Sequence, residues 1–180
     1  MMMLQADWTI ADGELRVAYR LKNRHSVPAY AYTVPRMVPD LQLRPGSAYA
    51  LVSESDLDLT LLLGSCDPPK DVSVPYRVQP LAVMVKPGKE FAGKVKLPIP
   101  VPEWGGYSNP DGPGDDVEPV DVYLLRFAVE YVLEGETYFL RPSVNGMWDV
   151  GGSPVRQLFV NHVPDRPVPV RRLPLIRPTT

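Results

Sequence analysis

Between Glu14 and Asn23 the chain reads E-L-R-V-A-Y-R-L-K-N, and its side chains change character at every step. Leu15, Val17, Tyr19 and Leu21 fall on one face of an extended segment, while Arg16, Ala18, Arg20 and Lys22 fall on the other. A helix would scatter both sets around its axis, so the spacing predicts a strand with one buried face and one mostly basic, solvated face. Residues 123–133 repeat the pattern and place Tyr123, Leu125, Phe127, Val129, Tyr131 and Leu133 on a single face. Two such strands far apart in the chain need a shared core, and a pair of stacked sheets supplies one.

Proline points the same way. It makes up 22 of the 180 residues, more than twice the usual ~5 %. Proline lacks an amide proton and clashes with the preceding helical turn, so long helices are excluded, whereas sheet edges and turns accept it. Further strands are predicted at residues 8–10, 29–34, 49–53, 57–63, 72–78, 81–86, 91–97, 137–141 and 155–161. In the strand at 91–97, Lys94 and Lys96 occupy the polar face. Turn signals separate them: Asp12-Gly13, Pro45-Gly46, Pro87-Gly88, Glu134-Gly135-Glu136 and Asn145-Gly146, with Gly151-Gly152 expected to break the chain again.

The expected fold class is all-β, an antiparallel sandwich of roughly eight to ten strands with little or no helix. One domain is expected over residues 1–162, carrying a Pro/Gly-rich acidic insertion at about 98–119 that reads P-I-P-V-P-E-W-G-G-Y-S-N-P-D-G-P-G-D-D-V-E-P. Residues 163–180 form a Pro/Arg-rich extension, expected to be extended or disordered along the sandwich edge.

The segment L-R-V-A-Y-R-L-K-N-R-H-S-V-P-A-Y-A-Y resembles the paired strands of bacterial immunoglobulin-like sandwiches, in which an alternating strand ends in Asn and a second begins near a proline. The later L-A-V-M-V-K-P-G-K-E-F is similar to the Pro-Gly turn that precedes a core strand in those domains. Intracellular proteinase inhibitors of bacilli are one such group. The resemblance implies the fold rather than inhibitory activity, and neither the acidic insertion nor the proline tail belongs to its pattern.

Charge and chemistry exclude several functions. A formal net charge of −2 provides no global field for nucleic acid or an anionic membrane. The N-terminal M-M-M-L-Q-A-D-W-T-I lacks the basic region and long apolar core of a signal peptide, and Cys66 is the only cysteine, so the expected compartment is the cytoplasm. No G-x-S-x-G elbow is present, and His25 and His162 read as loop and strand-end residues. Cys66, in S-C-D-P-P, reads as a structural thiol rather than a nucleophile. An enzyme is therefore not expected, nor any cofactor. Asp111, Asp115, Asp116 and Glu118 could offer oxygen ligands to calcium, but Pro113 and Gly114 break the ligand spacing, and a solvated acidic loop is the preferred reading.

What remains is binding. Trp104, Gly105, Gly106 and Tyr107 set two aromatics beside backbone that a ligand can approach closely. Trp104 either folds back to cap the open end of the sandwich or stands out as a recognition platform. Residues 101–119 hold five acids and no Lys or Arg, while the tail holds Arg166, Arg171, Arg172 and Arg177, so the tail could dock on an acidic loop of its own or of a second copy. The expected function is a non-catalytic protein-interaction module working through the 103–119 loop, a strand edge or the tail, with Trp104, Tyr107, Asp111, Asp115, Asp116, Arg171 and Arg172 as binding residues. One alternative is a carbohydrate or small-ligand module built on Trp104 and Tyr107; another is an intracellular proteinase-inhibitor-like protein.

Overall fold

The computed structural model describes residues 1–37, 41–53, 55, 57–68, 78–107 and 118–172. In chain order the first strands are β1 (Met2–Ala11), β2 (Glu14–Asn23), β3 (Ala29–Val34), β4 (Arg36–Met37), β5 (Gln42–Leu43) and β6 (Tyr49–Val52). There follow β7 (Asp58–Leu63), β8 (Leu81–Val85), β9 (Glu90–Pro98), β10 (Val101–Pro102) and β11 (Val120–Val122). The last are β12 (Leu124–Leu133), β13 (Thr137–Pro142), β14 (Trp148–Gly152), β15 (Arg156–His162) and β16 (Val168–Arg171). Among the described residues the helical content is one 3₁₀ turn, Val144–Gly146, so the protein is all-β. None of their helices is long and apolar enough to cross a membrane.

The N-terminal sheet has the order β1-β2-β9, antiparallel throughout. Asp12 and Gly13 both take positive φ, 56° and 72°, which gives the two-residue hairpin the twist its strands require. Leu15, Val17, Tyr19 and Leu21 are buried, and Arg16, Ala18 and Arg20 are exposed, in the alternation their sequence demands. Gly93 sits opposite Tyr19, and a side chain at this glycine would collide with the phenol ring.

The large sheet runs β13-β14-β8-β3-β12-β7-β6, with β15 joining the other edge of β12. Leu59, Leu61 and Leu63 pair in register with Leu125, Phe127 and Val129, and all six are buried. Their shared face meets the N-terminal sheet. The Tyr19 and Phe127 rings lie 5.0 Å apart, and Trp8 meets Phe127 edge-on at 6.4 Å. Burying each such large side chain contributes about 1.5–3 kcal/mol. A smaller apolar cluster of Tyr30, Tyr32, Ala82, Val132 and Val150 covers the opposite face, where Tyr32 Oη donates to the Val150 carbonyl at 3.0 Å.

Several expectations need correcting. The strand expected at 8–10 extends over Met2–Ala11. Tyr123 precedes β12 and is 55 % exposed, so the inward row begins at Leu125. Gly151 and Gly152 are the last two residues of β14, paired with Phe139 and Thr137 of β13, and the rings of Phe139 and Tyr138 occupy the space a side chain at Gly151 would need. The sheets are not purely antiparallel: β7 runs parallel to β12, and β10 parallel to β16. Most of the strand expected at 72–78 lies outside the described residues.

The described part of the C-terminal extension is extended, as expected, but does not lie along a sheet edge. It supplies β16, the middle strand of a β10-β16-β11 sheet. Val168 and Val170 join Val101 and Val122 in the main core.

Candidate functional site

The aromatic loop of the acidic insertion is packed against the sheet. Trp104 and Ala50 exchange both backbone hydrogen bonds at 2.9 Å, which fixes the loop beside β6 and leaves Trp104 only 2 % exposed. Its ring contacts Tyr49 at 4.9 Å. Tyr49 Oη in turn donates to the Arg36 carbonyl at 2.8 Å and accepts from the Arg36 amide at 3.1 Å. Tyr107 Oη accepts from the Val78 amide at 3.1 Å. Trp104 therefore caps the core, and the exposed aromatic platform is overturned. Asp111, Asp115 and Asp116 lie outside the described residues.

Tail and insertion do meet within one chain. Arg172 forks onto Glu103, Nε to Oε2 at 2.8 Å and Nη2 to Oε1 at 3.3 Å, and the Glu103 amide donates to the Arg171 carbonyl at 2.9 Å. A two-pronged guanidinium–carboxylate pair of this kind fixes orientation as well as charge.

The residues that nucleophilic chemistry would need are dispersed. His25 Nε2 lies 3.3 Å from Tyr131 Oη, whereas His162 stacks on Trp8 at 5.3 Å. The two histidines lie far apart along β12, since His162 pairs with Leu125 six residues before Tyr131, about 20 Å of strand. Burial pushes the Cys66 thiol up to about 12, and its sulfur packs against Gly105. A thiol held neutral in this way is a poor nucleophile.

The feature that gathers polar groups is the outer face of the N-terminal sheet. Register places Gln5, Arg20 and Ala92 in one row, Asp7, Ala18 and Lys94 in the next, and Thr9, Arg16 and Lys96 in a third. Lys22 and Glu90 face each other beyond the first row and pair at 3.6 Å. Glu14 takes Lys96 Nζ at 2.8 Å and Arg16 Nε at 2.8 Å. The Lys96 bond, then the Arg16 bond, hold its carboxyl below the usual range. Five cations thus face three carboxylates on this surface, an excess of two positive charges on a chain whose formal net charge is −2.

The two alanines shape that face. Ala18 and Ala92 sit diagonally between Arg20 and Lys94, with Gln5 and Asp7 beside them, and an open space of about 900 Å³ lined by these residues also reaches the core-facing Leu4, Tyr19 and Val160. Among the described residues, Arg20 and Lys94 make no ion pair. The basic faces of β2 and β9 were each visible in the sequence, but nothing there shows that the two strands are neighbours. The chain matches no protein-family model, and no curated protein or solved structure gives a match.

Proposed function

We propose that the protein is a non-catalytic binding module of the immunoglobulin-like sandwich type, and that it takes an acidic segment of another protein on the outer face of β1-β2-β9. One observation carries the reading: Arg20 and Lys94 flank a floor made small by Ala18 and Ala92, where Asp7 is the single carboxylate in the lining and, among the described residues, neither cation makes an ion pair. Carboxylates delivered to such a surface meet unpaired cations at an already ordered sheet, which favours encounter rate and orientation. A carbohydrate platform built on Trp104 is disfavoured because that ring is buried.

The test is fluorescence anisotropy with a labelled glutamate-rich peptide. Wild type should bind, and affinity should fall as salt rises toward a Debye length of about 8 Å. The double variant Arg20→Glu/Lys94→Glu should lose binding, whereas Lys86→Glu/Lys89→Glu, placed in the β8–β9 turn, should retain it. Equal affinity in the two double variants would remove the assignment.

A further inference from the structure

We infer that a second site, independent of the basic face, binds a small monocarboxylate with an apolar tail in the cleft between the β4–β5 hairpin and the β13–β14 hairpin. Two cross-strand pairs build it. Arg36 stands opposite Leu43 on β4–β5, and Arg141 stands opposite Asp149 on β13–β14. An ion pair joins the hairpins, Arg36 Nη1 to Asp149 Oδ1 at 3.1 Å, with both side chains largely shielded from water. The cleft is open to solvent and has a volume of about 540 Å³, within the volume range of small-molecule sites.

Charge in the cleft does not balance. Among the described residues, Arg36 and Arg141 line it against one carboxylate, Asp149, which is already joined to Arg36. One positive charge is left over on Arg141, whose guanidinium lies 5.5 Å from the centre of the Phe139 ring. The remaining lining is mixed: Leu41, Leu43, Phe139 and the half-exposed Val144 form an apolar stretch, with Gln79 and Ser143 as polar neighbours. A carboxylate forked onto Arg141 would lay its hydrocarbon along Phe139 and Leu43, satisfying both surfaces at once. A polyanion suits this place poorly, because Asp149 would repel its second charge. A neutral lipid would leave Arg141 without an anion.

Isothermal titration calorimetry with octanoate, and with octanol as its neutral counterpart, tests the assignment on the full chain. Octanoate should bind saturably and at least about tenfold more tightly than octanol. Arg141→Gln should bring octanoate down to the octanol level, and Val144→Asp should abolish octanoate binding by placing a like charge at the rim. Both positions are exposed, so the urea midpoint should not move. No saturable heat with octanoate, equal affinity for the two compounds, or an unchanged affinity in Arg141→Gln would each overturn the inference. Glutamate-rich peptide binding should be unaffected by Arg141→Gln, which separates failure here from failure at the basic face.

Discussion

Glu130 shows how a single side chain couples burial to pH. Its carboxylate lies over Gly64, where any side chain would collide with it, and accepts from the Ser65 amide at 2.8 Å. Desolvation by the surrounding protein raises its pKa above the ordinary 4.5. The folded state therefore holds the proton more tightly than the unfolded state does. The stability this supplies is complete below about 4.5 and is lost as pH rises through the folded value. Glu130→Gln keeps an acceptor for Ser65 and removes the titration. Relative to wild type, that variant should gain stability on going from acid to neutral pH, as read from urea midpoints; a difference that stays constant with pH would contradict this. The core contact between Phe127 and Tyr19 provides a second prediction at this scale. Phe127 is fully buried, and Phe127→Ala should cost about 3–5 kcal/mol of unfolding free energy in denaturant titrations. Much of this was legible: the alternation in 14–23 and 123–133 gave both inward rows, and only Tyr123 was assigned to the wrong surface, because periodicity locates a face and not the point where a strand begins. Trp104 was harder, since its burial depends on backbone bonds to Ala50, more than fifty residues away.

Among the elements, β16 departs furthest from what its sequence suggests. V-P-V-R lies between prolines, and its local composition is that of an extended linker. A signal was nonetheless present: Val168 and Val170 alternate with Pro169 and Arg171, the pattern of a half-buried strand. Pro169, which has no amide proton to donate, stands opposite Asp121 of β11 and lies outside the register with β10, which pairs only with Val170 and Arg171. Ending the chain after Arg166 would remove two buried valines and the Arg172–Glu103 fork together. The valines alone imply a loss of about 3–6 kcal/mol, so the truncated protein should unfold at clearly lower urea than the full chain. An unchanged midpoint would place β16 outside the cooperative unit. Parallel pairing of β7 with β12 could not have been read, because alternation specifies the buried side of a strand but neither its neighbour nor its direction.

For the molecule as a whole, composition and periodicity were enough for the class, all-β, and for most strand positions. They were not enough for the assembly of sheets, which depends on long-range partners. Both proposed sites illustrate the limit. The basic face needs β2 beside β9, about seventy residues apart, and the cleft needs β4–β5 beside β13–β14, about a hundred apart. Topology also governs the order in which the fold can be completed. Since β16 slots between β10 and β11, both made earlier, a chain emerging from the ribosome carries an unfilled seam next to Val101 and Val122 until residue 171 is outside the exit tunnel. Nascent molecules thus expose this seam from the emergence of Val122 until β16 follows, and termination before β16 is made would leave them targets for chaperones and proteases.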